Sequence, residues 1–111
     1  VGSTGTGAIY AMSKAAIVQL TKSLACEWAK DQIRVNCVAP WITNTPMIAS
    51  QPASVMQKIC SATPMKRGGE PEEMAAAVTW FTLPASSFCT GQTMCVDGGL
   101  TSQLFAGPCT E

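Results

Sequence analysis

The chain has 111 residues, 47% of them apolar and only 13% charged, with seven basic residues balanced by seven acidic ones. That length allows one small domain and no more, and the balanced charge excludes a partner recognised by electrostatics alone, such as nucleic acid or an anionic membrane surface. So high an apolar share exceeds what a small self-contained core requires, which implies faces that something else covers.

No apolar run approaches the length of a membrane span, so no membrane partner is expected. The opening Val1-Gly2-Ser3-Thr4-Gly5 lacks the basic and apolar regions of a signal peptide, and it has no initiator Met. The chain is therefore expected to be processed or to be a piece of something longer. Cys26, Cys37, Cys60, Cys89, Cys95 and Cys109 form no C-x-x-C pair, and there is no histidine. No metal is expected from that spacing. Buried, reduced thiols are expected instead, in a cytoplasmic or plastid setting.

Taken in chain order, Ile9 to Lys30 reads as one long amphipathic helix, with Ile17, Leu20, Leu24 and Trp28 on a single apolar stripe. Asp31-Gln32 ends it. Ile33 to Ala39 then reads as a short strand buried on both faces and stopped by Pro40. The stretch from Trp41 to Gly69 is less regular. Ser50-Gln51-Pro52 can start a helix with Ser50 as its cap, and Val55, Met56, Ile59 and Cys60 give that helix an apolar face. Pro64 closes it, and Gly68-Gly69 reads as a turn.

Glu70-Pro71-Glu72-Glu73 is a helix start, with proline in the first turn and acidic residues at the positive end of the dipole. Met74, Ala77, Val78 and Phe81 form the stripe that this helix should bury. Leu83-Pro84 ends it, and Gln92 to Val96 is a second short strand followed by the turn Asp97-Gly98-Gly99. From Ser102 the tail reads as irregular. Two apolar strands joined through helices imply a parallel sheet with a right-handed crossover. Two strands alone are too few for a stable sheet in water, so upstream neighbours are expected.

Chemistry concentrates in Tyr10-Ala11-Met12-Ser13-Lys14. Residues four apart share a helix face. A phenol alone is a sluggish acid–base catalyst near neutral pH. A neighbouring ammonium favours its ionised form, so the pair can pass a proton to a carbonyl oxygen or take one from an alcohol. On spacing alone, an ordinary exposed helix pair accounts for the same residues.

Three separated motifs extend the pattern: YAMSKAAIVQLTKSLACEWAKDQIRVNCVAP, then GEPEEMAAAV, then TGQTMCVDGG. Together they resemble the classical short-chain dehydrogenases/reductases, in particular the plant tropinone-reductase-like branch, from Tyr10 to Leu100. The resemblance implies an α/β fold, the C-terminal portion of a Rossmann-like doubly wound parallel sheet without its N-terminal nucleotide-binding half. Residues 1–111 would then be one partial domain holding the catalytic helix, a substrate lid and the last strands.

The same resemblance implies that Tyr10 is the catalytic acid/base and that Lys14 activates it and holds the nicotinamide ribose. Pro40, Thr43 and Thr45 would line the cofactor loop. Trp41 replaces the family's glycine there, and Thr43 stands where an aliphatic residue is usual. Met47 to Arg67 corresponds to the substrate lid, where Met47, Ile48, Val55, Met56 and Ile59 suit an apolar ketone or serve as helix packing. The implied cofactor is NADP(H) ahead of NAD(H), the substrate a small ketone or alcohol, and the assembly a homo-oligomer.

The family's catalytic serine and asparagine and its glycine-rich phosphate loop would fall before Val1, so the chain alone is expected to be inactive. Gly2-Ser3-Thr4-Gly5-Thr6-Gly7 is spaced like a phosphate loop, but no strand precedes it, and it reads as the loop leading into the tyrosine helix. The competing expectation is a non-catalytic remnant that acts as a dimerising module.

Overall fold

The computed structural model describes residues Gly7–Gln103. The glycine run before Gly7 and the thiol of Cys109 lie outside the described residues. The elements are α1 (Gly7–Trp28), β1 (Cys37–Pro40), α2 (Pro46–Ala49), α3 (Ala53–Ala62), α4 (Pro71–Thr82) and β2 (Thr93–Val96), with short 3-10 turns at Ala29–Asp31, Pro84–Ser86 and Leu100–Ser102. Two compact units emerge. One joins the described residues up to Val38 to Ala77–Met94; the other joins Ala39–Ala76 to the described residues from Cys95 on.

β1 and β2 are hydrogen-bonded neighbours in a two-stranded sheet. The Cys37 N–H donates to the Gln92 carbonyl at 2.8 Å and the Trp41 N–H to the Val96 carbonyl at 3.2 Å. Both pairs advance in the same direction, which makes the strands parallel and adjacent, as the sequence predicts.

The first strand is shorter than the expected Ile33–Ala39. Upstream of Cys37 side chains take over part of the pairing, although the Val35 carbonyl still accepts the Gly91 N–H at 2.7 Å. The Val35 N–H donates to the Thr90 hydroxyl at 3.1 Å. The Asn36 amide donates to the Cys89 carbonyl at 2.9 Å and accepts from the Gln92 N–H at 3.1 Å. An Asn side chain standing in for a ladder group shortens the regular strand at its start.

α1 starts two residues before the expected Ile9 and ends at Trp28. Gln32 sits in the left-handed region at φ 59°. Its N–H donates to the Ala29 carbonyl at 3.0 Å, and the Ile33 N–H donates to the Trp28 carbonyl at 3.2 Å. This crossed pair closes the helix end as a Schellman motif with glutamine where glycine is usual. The stripe lacks cover, in keeping with an apolar share that exceeds the needs of a small core: Ile17 is 47% exposed, Leu20 55% and Trp28 41%, with Leu24 half-buried. Thr21 and Ala25 are the buried residues of α1 instead. Thr21 is accommodated because its hydroxyl donates to the Ile17 carbonyl at 2.9 Å.

Further corrections follow the same pattern. Ser50 does not cap α3; it ends α2, and its hydroxyl donates to the Met47 carbonyl at 2.7 Å. α3 starts at Ala53 behind Pro52, with no side-chain cap. The turn expected at Gly68-Gly69 falls earlier, where Lys66 adopts φ 58°, while Gly69 forms an isolated parallel bridge with Thr43. In α4, Met74, Ala77 and Phe81 are half-buried as expected, but Val78 is 53% exposed. Cys95 and Cys26 are exposed thiols, not buried ones. A 3-10 turn at Leu100–Ser102 follows the Asp97-Gly98-Gly99 turn, and the tail after Gln103 lies outside the described residues.

In the first unit the α4 end is tied to the approach to β1 by Arg34, whose guanidinium donates to the Phe81 carbonyl at 2.6 Å and the Cys89 carbonyl at 3.0 Å. Ser86 is fully buried, and its hydroxyl reaches the Phe81 and Leu83 carbonyls. Gly91 has φ +70°, and a Cβ there would lie 3.3 Å from the Ala25 Cβ. Alanine at 91 must therefore hold a left-handed backbone against the buried face of α1. Gly91→Ala is expected to destabilise the chain by about 1–2 kcal/mol, read as a lower urea midpoint; an unchanged midpoint would contradict this packing.

Candidate active site

Tyr10 and Lys14 lie one turn apart on α1, in the first unit. The Lys14 Nζ stands 5.3 Å from the Tyr10 ring centroid, so the two side chains share a face as their spacing predicts. Tyr10 is 51% exposed, and Lys14 is exposed as well. Among the described residues Lys14 pairs with no carboxylate. Its three N–H donors remain open to an external acceptor. Ser13 turns its hydroxyl back to the Tyr10 carbonyl at 2.7 Å and takes no part in the pair.

Pro40, Thr43 and Thr45 belong to the second unit; Pro40 is the last residue of β1, where the sequence placed the strand's stop, and Thr43 and Thr45 lie on the loop that follows. Their hydroxyls differ in what they leave free. Thr43 donates to the Trp41 carbonyl at 3.1 Å, so its proton is committed. Thr45 caps α2 by accepting the Ile48 N–H at 3.4 Å, which leaves its own proton available. The Thr45-Pro46 pair, a cap residue followed by proline at the first helical position, was the local signal for α2 that the sequence reading passed over.

The same loop is clasped to the segment before α4. The Asn44 N–H donates to the Gly69 carbonyl at 2.8 Å, and the Gly69 N–H to the Ile42 carbonyl at 2.9 Å. The Asn44 amide donates to the Glu70 carboxylate at 2.6 Å. A Cβ on Gly68 would come within 2.6 Å of the Asn44 side chain, which explains a glycine in this clasp. Beyond the clasp, an open groove of about 580 Å³ is lined by Asn44, Thr45, Ile48, Gln51 and Met56 among others. Of the lid residues expected to meet a substrate, Ile48 and Met56 line this groove. Met47 is 76% exposed and Val55 40%.

Among the described residues no group of His, Cys, Asp and Glu could hold a metal ion. Among the described residues no helix is long and apolar enough to cross a membrane. Asp97 is a turn residue: its carboxylate accepts from the Thr101 hydroxyl at 2.6 Å and from the Thr101 and Gly99 N–H groups. Those bonds, the Thr101 hydroxyl foremost, hold its carboxyl below the usual range.

The family profile described as Enoyl-(Acyl carrier protein) reductase matches residues 1–101. The chain belongs to the short-chain dehydrogenase/reductase family, and its parallel strand pair is part of that family's Rossmann-like sheet. It is similar to a tropinone reductase homologue of Datura stramonium, 57% identical over 102 residues that make up 87% of this chain and 38% of that relative. A chloroplastic tropinone reductase homologue of Arabidopsis thaliana is 49% identical over 99 residues, 87% of this chain and 31% of the relative. The crystal structure of a 3-oxoacyl-[acyl-carrier protein] reductase from Brucella melitensis superposes with a TM-score of 0.80 at 46% identity, over 82% of this chain and 34% of that one. The chain thus spans between 31% and 38% of the length of these three proteins.

Glu73 supplies the strongest electrostatic feature of the clasp. Arg67 grips it in a fork, with N–H to O distances of 2.8 and 2.7 Å, and Glu73 accepts the Glu70 N–H at 2.8 Å as half of a capping box. The Arg67 hydrogen bonds, followed by the Glu70 N–H, lower the Glu73 carboxyl from 4.5 to about 2. A depressed carboxyl stabilises the fold above its unfolded value and loses that contribution as pH falls through its folded value. Hydrogen-exchange protection at the start of α4 is therefore expected to weaken as pH drops from 4.5 toward 2. In Arg67→Gln, NMR titration should return the Glu73 carboxyl toward the ordinary range; a Glu73 that titrates normally in the parent chain would contradict the fork.

Proposed function

We propose that this chain supplies the acid/base portion of an NAD(P)(H)-dependent oxidoreductase that interconverts a ketone and an alcohol. The observation that carries this reading is the Lys14 ammonium 5.3 Å from the Tyr10 ring, on an exposed helix face, in a chain of the short-chain dehydrogenase/reductase family. Tyr10 Oη gives a proton to the carbonyl oxygen in reduction and takes one from the alcohol in oxidation. Lys14 supplies the positive charge beside the phenol, and its free donors suit the hydroxyls of a ribose. A bound nicotinamide dinucleotide would supply or accept the hydride.

The loop residues fit that cofactor unequally. Thr45 keeps a proton that can be given to a phosphate oxygen, whereas the Thr43 proton already serves the Trp41 carbonyl. Thr45 is therefore the better candidate of the two, and Pro40 offers only its carbonyl and ring. NADP(H) ahead of NAD(H), a small apolar ketone in the groove of Ile48 and Met56, and a cytoplasmic or plastid setting follow from the likeness to tropinone reductase homologues, one of them chloroplastic.

The test is a chimera in which this chain follows the upstream portion of the Datura stramonium homologue. NADPH consumption with cyclic ketones is expected, falling by about 100- to 10,000-fold in Tyr10→Phe. The 111-residue chain alone should consume none. Full activity in the Tyr10→Phe chimera would remove the proposal.

A second reading, a dimerising module, is supported by the exposed stripe of Ile17, Leu20 and Trp28 on α1. Homo-oligomers are compatible with both readings. Sedimentation of the isolated chain is expected to show concentration-dependent association, because exposed apolar stripes of this kind seek cover. A clean monomer at high concentration would count against it.

A further inference from the structure

The excursion from α2 to α3 buries no side chain completely along its length. Helices without a buried stripe take little stability from packing. What holds the excursion is therefore found at its two roots. The first root is the clasp of Thr43 and Asn44 onto Gly69 and Glu70. The second is Thr63, which ends α3 and is fully buried.

Thr63 is a polar group with both of its hydrogen-bonding roles filled. Its hydroxyl proton goes to the Ile59 carbonyl at 2.8 Å. Only a lone pair is then left, and only a donor can satisfy it. The Trp41 indole Nε1–H, a donor with no acceptor capacity, supplies that bond at 3.0 Å. Trp41 is itself held at the end of β1 by its backbone N–H to the Val96 carbonyl. The far side of Thr63 is closed by Gly98, where a Cβ would lie 2.9 Å from the Thr63 methyl, and the next turn is tied down by the Met65 N–H to the Gly98 carbonyl at 3.1 Å.

We propose that Trp41 is a positioning residue for the substrate-covering segment: its indole N–H, bonded to the buried Thr63 hydroxyl, pins the C-terminal root of α3. The role of the segment rests on the reductase reading above; the pin itself does not. The indole standing in place of the family's glycine is thereby given a task. It anchors the segment whose Ile48 and Met56 line the groove, and Trp41 is not itself among the residues of that lining.

The test is amide hydrogen exchange of the 111-residue chain, read from Met56 to Thr63 with α1 as the reference. Trp41→Phe keeps an aromatic ring and removes the donor. Thr63→Val keeps the shape and removes the hydroxyl, and with it both the acceptor for Trp41 and the bond to the Ile59 carbonyl. Each is expected to speed exchange in α3 by about 2- to 10-fold with α1 unchanged, the span of a typical single hydrogen bond. The double variant should match Thr63→Val, where the indole bond is already gone, and Thr63→Ser, which retains the hydroxyl, should exchange like the parent. If Trp41→Phe loses α1 protection and so fails to fold, the indole proton of Trp41 in the parent chain decides: it is expected to exchange more slowly than the similarly exposed indole protons of Trp28 and Trp80. Unchanged α3 exchange in a folded Trp41→Phe, a double variant that exchanges faster than Thr63→Val, or a Trp41 indole proton as fast as those of Trp28 and Trp80 would overturn the pin. No substrate enters this measurement, so its failure is distinct from an inactive chimera.

Discussion

Val35, Cys37 and Trp41 meet Gly91, Gln92 and Val96 through backbone hydrogen bonds of 2.7, 2.8 and 3.2 Å. α1 leads into the first member of this pairing, and α2, α3 and α4 occupy the connection between the two strands. A parallel pair needs such a long connection, because a tight turn can join only antiparallel strands. The helices are thus obliged by the direction of the strands, and the loop that leaves β1 is delivered to the strand ends, where open α/β sheets bind ligands.

Around that pairing the chain is fastened more by polar groups than by apolar burial. Among the described residues Ala25 is the one buried apolar side chain, beside the buried hydroxyls of Thr21, Thr63 and Ser86. Each of those hydroxyls has a backbone carbonyl within reach, so none imposes the cost of an unpaired polar group. Thr93 on β2 is the exception, a buried hydroxyl without a partner among the described residues. The exposed Ile17, Leu20, Trp28 and Phe88 belong to the same account. Apolar residues on this scale remain uncovered when a chain spans less than half the length of the relatives it resembles, as here.

That arrangement bears on the candidate site. Tyr10 and Lys14 need nothing beyond helix periodicity to face the same way, so their juxtaposition was legible from their spacing. The loop residues were legible as a set through the family pattern, but not in their chemistry. Thr43 gives its proton to the Trp41 carbonyl, whereas Thr45 accepts from the Ile48 N–H and keeps its own, a difference set by the neighbours that each hydroxyl meets. Trp41 is the sharpest case. In sequence it is a bulky residue where glycine is usual; in the fold its N–H meets Thr63, a residue 22 positions away.

The sequence by itself determined the order of helices and strands, the parallel sheet, the start of α4 at Glu70-Pro71 and the family. Those features follow from local periodicity, from proline and acidic residues at a helix start, and from motifs in a fixed order. It did not determine which faces are buried. Thr21 and Ala25 are the covered residues of α1, and Val78 of the expected α4 stripe is exposed, because burial depends on what packs against a helix and not on its own pattern. Nor did it determine the start of β1, the clasp at Gly68-Gly69 or the Thr63 pin. Each of these joins residues far apart in the chain, through hydrogen bonds that exist only once the backbone has brought the donors and acceptors together.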